Sequence, residues 1–229
     1  MDKVVVIIPA YNEEQSIGLV LKEIPATVSQ IIVVDNGSTD ATAAVARNNG
    51  ATVLHQPLKG YGYACLMGLH YLSSMDDLPT IVVFIDGDYS DYPGDITKIL
   101  QPISIDNKDI VIGARVKKLR EEGSMTFPQI FGNWLATFLM KILFNSNFTD
   151  LGPLRAIKYD KLLALHMEDK TYGWTVEMQL KALKNNYSYV EIPVRYKRRI
   201  GVSKVSGTVK GAIFAGIKIL SWIFKYSFK

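Results

Sequence analysis

The chain of 229 residues is long enough for one large domain with a substantial core, and its 48% hydrophobic and 21% charged residues exclude a mainly disordered state. A single cysteine, Cys65, excludes an internal disulfide, and Cys65 with the scattered His55, His70 and His166 lacks zinc-ligand spacing. The formal charge of +4 is unevenly placed: Glu191 is the last acid, and the nine Lys/Arg beyond it indicate an anionic partner such as phosphate, a membrane surface or nucleic acid.

In chain order, Val4 to Ile8, Ile31 to Val34, Ala51 to Leu54, Ile81 to Ile85 and Ile110 to Ile112 are short Val- and Ile-rich runs. They are nearly continuous rather than alternating, which predicts strands buried on both faces. Helical patterns lie between them. Asn12 is placed to cap a helix carrying Ile17, Leu21 and Ile24, Ser38 or Asp40 to cap a second that stops at Gly50, and Gly62 to Met75 forms a third. Strands alternating with helices predict an α/β fold with a mainly parallel, Rossmann-like sheet.

Farther along, Pro128 to Phe144 carries one charge, Lys141, but is shorter than the ~20 residues of a membrane span, so it predicts a buried or interfacial helix. TDLGPLRA reads as a turn, GWTVEMQLKALKNN as a helix and YSYVEIPVRY as a strand. On the last helix Lys210, Lys218, Lys225 and Lys229 fall within about a 100° arc, opposite Ile213, Gly216, Ile217, Leu220, Ile223 and Phe224. Its apolar side has two destinations: a membrane surface, or protein, whether this chain's core or a second copy in a homo-oligomer. The expected organisation is a catalytic domain over 1–207 and a basic amphipathic helix over 208–229, without internal repeats.

In parallel sheets ligands bind at the carboxyl ends of strands. That rule gathers PAYNEE, DNGSTD and DGDYSD onto one rim. The third cluster crowds Asp86, Asp88, Asp91 and Asp95 behind a buried strand, where like charges repel. Asp86 and Asp88 can hold Mg²⁺ or a similar cation while leaving positions open for phosphate oxygens. A calcium loop is excluded, since Asp91 stands where Gly is required and Thr97 where Glu is required. The plain alternative is a solvated acidic loop. For the other two clusters it is a strand stop, a helix cap and an ordinary turn.

IIPAYNEE, IIVVDNGSTDAT, LKGYGYA, FIDGDYSD, IVIGAR, TDLGPLRA and RRIGVSKVSGT, in this order, resemble glycosyltransferase family 2 with the GT-A fold, and within it the dolichyl- and polyprenyl-phosphate sugar synthases. The resemblance implies an inverting transferase using a nucleoside diphosphate sugar and Mg²⁺ or Mn²⁺. It implies that Pro9, Ala10, Tyr11 and Glu13 line the base and ribose, that Asp35 accepts from the base and Gly37 allows close approach, and that Lys59 meets the nucleotide or its phosphates. Asp86 then lies nearer the ribose and sugar, Asp88 on the metal, and Arg115 near the donor sugar or acceptor phosphate. Where such synthases read Asp-x-x-Ser-Gly-Phe-Arg, this chain has DLGPLR, keeping Asp150 and Arg155.

A sugar hydroxyl acceptor needs a base, for which Asp91 and Glu177 are the candidates. A polyprenyl phosphate is already anionic and needs cations instead, a task suited to Arg195, Arg198, Arg199, Ser203 and Lys204. Asp91 as a loop cap and Glu177 as a surface charge are the plain readings, and Asp95 is placed to cap the helix starting at Ile96. A sugar-1-phosphate nucleotidyltransferase would need a Gly-rich basic loop where PAYNEE stands. A membrane-bound nucleotide-sugar sensor is the non-enzyme alternative. Nucleic acid fits poorly, since no basic and aromatic stripe joins a recognised module. The apolar run at the N-terminus is too short and too soon acidic for a signal peptide. The expected location is therefore the cytoplasm, peripheral on the inner face of the cell membrane.

Overall fold

The computed structural model describes residues 2–201 and 209–227. Its strands are β1 (Val4–Ala10), β2 (Gln30–Asp35), β3 (Thr52–His55), β4 (Ile81–Phe84), β5 (Ile110–Ala114), β6 (Arg155–Lys158) and β7 (Tyr189–Pro193). Its helices are α1 (Ile17–Glu23), α2 (Thr42–Asn48), α3 (Tyr61–Ser73), α4 (Ile96–Ser104), α5 (Phe127–Phe144), α6 (Tyr159–Ala164), α7 (Trp174–Lys184) and α8 (Val209–Ser227). One sheet of seven strands runs β3-β2-β1-β4-β6-β5-β7, and all pairings are parallel except those of β6, which is antiparallel to both neighbours.

The continuous apolar runs have the expected cause. Val5 and Ile7 of β1 enter the core on one face of the sheet with Ala64, Phe84, Met140 and Trp174, while Val4, Val6 and Ile8 enter the core on the other with Ile17, Ile96 and Ile99. Both faces of the strand are covered by helices, so neither set can be polar. Each fully buried aliphatic side chain contributes about 1.5–3 kcal/mol.

β6 is the element that TDLGPLRA did not announce. A turn was expected there, and instead the chain re-enters the sheet between β4 and β5, pairing Arg155 with Phe84 and with Ile112. Gly152 permits this entry, because a Cβ there would lie 2.3 Å from the carbonyl oxygen of Gly113. After β1, Asn12 does not cap α1. It adopts φ 54°, and its side-chain oxygen accepts from the Thr39 N–H instead. α5 starts at a reciprocal cap between Thr126 and Gln129 and ends at Asn145 in the left-handed region.

The expectation that Asp95 caps α4 is corrected. Its carboxylate makes no capping hydrogen bond. It lies buried under Arg195, which donates from its backbone N (3.0 Å), Nε (3.3 Å) and Nη2 (2.9 Å), and Lys98 adds an ion pair at 2.9 Å. Arg195, expected at an acceptor phosphate, turns Nε and Nη2 to Asp95 and stacks over Tyr92, with its side chain 47% exposed. The pair ties the segment after β7 to the start of α4, across the loop that carries the other acids.

Burial alone pushes the Asp95 carboxyl up, and its bonds to Arg195 and Lys98 more than reverse this, leaving it below the ordinary carboxylate value. Its contribution to stability is therefore complete above the ordinary carboxylate range and is lost as pH falls through the lower folded-state value. Asp95→Asn is expected to cost about 1–2 kcal/mol at neutral pH, at the low end for a buried pair because half-exposed Arg195 is screened by solvent. Urea unfolding at pH 7 and at pH 3 measures this: the gap between variant and wild type narrows in acid, and equal midpoints at pH 7 would contradict the account.

Candidate active site

The three polar loops meet at one rim, the first two through hydrogen bonds and the third through Arg199, which lies between Glu13 and Asp88. The Asn12 N–H donates to Ser38 Oγ (3.0 Å), the Glu13 N–H to Thr42 Oγ1 (2.7 Å) and the Ala41 N–H to Glu14 Oε2 (2.9 Å), joining the loop after β1 to the loop after β2. Asp35, at the end of β2, accepts from the Ser38 N–H. Gly37 has φ 75°, a backbone conformation that favours glycine, and no protein atom lies closer than 3.9 Å to where its Cβ would stand. Pro9 and Ala10 end β1 in register with Val34 and Asp35. Tyr11 lies under Lys59, whose Nζ donates to the phenol oxygen at 2.6 Å and sits 4.3 Å from the ring centre. Asn36, which sequence reasoning passed over, holds the Lys59 loop: it donates to the Gln56 and Leu58 carbonyls and accepts from the Gly60 N–H.

The acidic loop follows β4. Asp88 Oδ1 accepts from the Ser90 N–H and hydroxyl, while Oδ2 faces Arg199 Nη2 at 2.6 Å, and Glu13 Oε1 lies 3.6 Å from the same nitrogen. Arg199 arrives there because the segment after β7 runs along the loop: Lys197 N–H donates to the Ser90 carbonyl and Ile200 N–H to the Asp88 carbonyl. Asp91 is buried, and neither of its carboxylate oxygens has a hydrogen-bond partner. Asp86 Oδ1 is likewise buried without one. Burial first, then the charge of Asp88, pushes the Asp86 carboxyl up to about 6, and burial with both neighbouring carboxylates pushes Asp91 well above the ordinary range. Like charges are thus held together at the end of β4 with only part of their charge offset by arginines.

These residues fit a divalent cation. Orphaned buried carboxylate oxygens are the groups a cation satisfies, and among the described residues no three or more Asp, Glu, His or Cys side chains form a ready cage. One or two protein carboxylates with the remaining positions left to phosphate oxygens is the Mg²⁺ pattern.

Beneath the acids, Arg155 is fully buried and donates to the carbonyls of Leu151, Gly152 and Thr175, with Tyr61 near Asp86. Beside them Arg115 grips Asp150 through its backbone N (2.7 Å), Nε (2.8 Å) and Nη2 (2.6 Å), and its guanidinium lies 5.1 Å from the Tyr196 ring centre. Asp150 is held in turn by Glu191, which accepts from the Thr149 and Asp150 N–H groups. A cavity of about 130 Å³ opens here, lined by Arg115, Arg120, Met125, Ile130, Asn133 and Asp150 among others.

Two further expectations change. Glu177 is neither a surface charge nor a base: it is fully buried on α7, accepts from the Glu168 and Asp169 N–H groups at 2.8 Å each, and pairs with Lys181 at 2.7 Å. Every oxygen is committed to shaping the 168–169 turn. Arg198 donates through Nε to the Glu122 carbonyl and through its backbone N to Glu121, so it braces the 121–123 loop. Of the basic set assigned to an acceptor phosphate, Arg199 stands among the carboxylates, and Ser203 and Lys204 lie outside the described residues.

Comparison with known proteins agrees with this geometry. The family model for glycosyl transferase family 2 matches residues 5–163. An uncharacterized glycosyltransferase of Mycobacterium tuberculosis is 34% identical over 217 residues, covering 93% of this chain and 94% of the relative. A dolichyl-phosphate hexose transferase of Haloferax volcanii is 32% identical over 221 residues, covering 92% and 90%. Among solved structures, glucosyl-3-phosphoglycerate synthase from Mycobacterium tuberculosis with Mn²⁺, UDP and glucosyl-3-phosphoglycerate superposes with a TM-score of 0.77 at 19% identity, over 98% of this chain and 80% of that one. The sheet is therefore that of the GT-A fold, and the chain belongs to glycosyltransferase family 2.

Proposed function

We propose that this glycosyltransferase is an inverting, metal-dependent enzyme that moves a hexose from a nucleoside diphosphate sugar to a polyprenyl phosphate at the cytoplasmic membrane face. The observation that carries the reading is the acidic trio at the end of β4: Asp86 Oδ1 and both oxygens of Asp91 are buried without partners, while Asp88 is met by Ser90 and Arg199. Mn²⁺ and UDP in the structural neighbour support the donor and cation. The relative named for a dolichyl-phosphate acceptor supports the lipid.

In this reading Pro9, Ala10, Tyr11, Glu13 and Asp35 receive the base and ribose, with Lys59 swinging from Tyr11 to the phosphates. Asp86 and Asp88 hold the cation. When bound, Mg²⁺ or Mn²⁺ supplies the positive charge that neutralises the departing diphosphate. Arg115, oriented by Asp150, and Arg199 position the acceptor oxygen for attack on the anomeric carbon from the side opposite the leaving group. Asp91 is too deeply buried to take a proton from an incoming hydroxyl, which favours an acceptor that arrives already anionic.

A thermal-shift panel of nucleoside diphosphate sugars with Mn²⁺ identifies the donor, since a ligand at ~100 times its Kd stabilises by about 2.7 kcal/mol. Asp88→Asn is expected to lose the Mn²⁺-dependent part of that shift and about a hundredfold in transfer rate, equivalent to about 2.7 kcal/mol. Full transfer by this variant would remove the cation role. Wild type that modifies only a soluble phosphorylated small molecule overturns the lipid acceptor, and tight donor binding without transfer or hydrolysis leaves a sensor.

Arg115→Lys keeps the charge but not the two-pronged grip on Asp150. It is expected to raise the acceptor KM about tenfold or more, with donor KM little changed, because a point charge on a flexible stem positions phosphate poorly. Unchanged acceptor kinetics would move Arg115 out of the acceptor site.

A further inference from the structure

Among the described residues no helix is long and apolar enough to cross a membrane, yet two helices turn apolar faces outward. α5 starts at the cavity beside Arg115, to which it contributes Ile130 and Asn133, and runs away from it for 18 residues. Ala136, Thr137 and Met140 bury its inner face. On the outer face Phe127, Phe131, Trp134 and Phe138 form a ladder of rings whose successive centres are 6.4, 5.8 and 5.5 Å apart. Phe127 is 79% exposed and Trp134 54%, and Ile142 extends the row. At 100° per residue these five and Lys141 share an arc of about 100°.

α8 packs against α5 and α7 and divides its apolar side chains between the core and the outside. Trp222 and Ile223 turn into the core, while Ile217 and Phe224 stay exposed. Lys218 and Lys225 pair with Asp169 and Glu168 at the protein's flank. The five apolar residues of the α5 row and Ile213, Phe214, Ile217 and Phe224 of α8 are all exposed, and a contiguous run of large exposed apolar side chains marks an interaction site.

We propose that the outer face of α5, with the adjoining strip of α8, inserts into the headgroup region of an anionic lipid bilayer. The charge pattern selects this occupant. Neither helix contains an acid: from Phe127 to Asn147 the only charged residue is Lys141, and from Ile192 to Lys229 the sequence has Lys and Arg but no Asp or Glu. A second copy seated on this face would set Lys141 against an acid-free helix with no carboxylate to pair it, whereas an anionic leaflet meets it with opposite charge; Lys218 and Lys225, already paired with Asp169 and Glu168, do not enter this comparison. Aromatic rings flanked by lysines are the composition of helices that lie in the membrane plane. The inference deepens the transfer reading and rests on it only for its purpose, which is to hold the cavity beside Arg115 at the lipid boundary, so that a phosphate enters while its chain stays in the bilayer.

The test uses the full chain with phosphatidylcholine vesicles, with and without about a third phosphatidylglycerol, a composition chosen because binding of this kind combines apolar burial with attraction to anionic lipid. Trp174 is 1% and Trp222 5% exposed, so a change in tryptophan emission on vesicle addition reports chiefly on Trp134. The expected result is binding to the anionic vesicles that weakens with salt, a blue shift, and quenching by lipids brominated near the headgroup. Trp134→Phe keeps the binding and loses the quenching. The triple variant Phe131→Ser, Trp134→Ser, Phe138→Ser weakens partitioning by about tenfold or more, since each residue contributes through the apolar area it buries. The donor-induced thermal shift of the triple variant is unchanged, which shows that the site is folded.

No binding to either vesicle, or undiminished binding by the triple variant, overturns the proposal. So does a concentration-dependent dimer in vesicle-free sedimentation that the same triple variant abolishes, which would give the face to a second copy. Wild type that binds vesicles through α5 but transfers no sugar to prenyl phosphate keeps this inference and defeats the function proposed above.

Discussion

The structure turns on the cost of holding Asp86, Asp88 and Asp91 together at the end of β4. Burial and the neighbouring charges raise the proton affinity of Asp86 and Asp91, and like charges this close repel. They are held because β4 is clamped between β1 and β6, and because the segment after β7 is laced to the same loop by the Lys197 and Ile200 N–H groups. Arg199 offsets part of the charge at Asp88. The oxygens left without partners are the site's capacity for a cation and phosphates.

Around that cluster the other charges divide by what they touch. Arg195 on Asp95, Glu177 on the 168–169 turn and Arg198 on the 121–123 loop keep loops in place. Arg115, shaped by Asp150 and behind it Glu191, keeps a face on the cavity. A fully buried charge with every position satisfied stiffens the fold, and one with positions to spare is available for chemistry. That distinction separates Glu177, whose oxygens are all taken, from Asp91, whose oxygens are open beside the cation's carboxylates although its burial takes it out of the base role for which both were candidates.

The central sheet was legible in the sequence because strands buried on both faces must be apolar throughout, and the polar clusters were legible because each follows such a strand. β6 was not, since four residues beginning with Arg155 carry no apolar run and the strand depends on Gly152 allowing two backbones to approach. The roles of Arg195 and Glu177 were hidden for another reason. Their partners lie 100 and 8 or 9 positions away, joined by turns whose course no local pattern encodes.

The sequence by itself determined the α/β class, the rim on which DGD, PAYNEE and DNGSTD gather, and the family, because periodicity and ordered motifs are local properties. The tertiary structure alone decided which charges are free. A carboxylate or guanidinium has the same formula whether it is exposed, buried and paired, or buried with its oxygens open, and only the fold's long-range contacts tell these apart. The same holds for α5 and α8, whose apolar residues read alike in sequence until packing turns Met140 and Trp222 inward and leaves Trp134 and Phe224 outside.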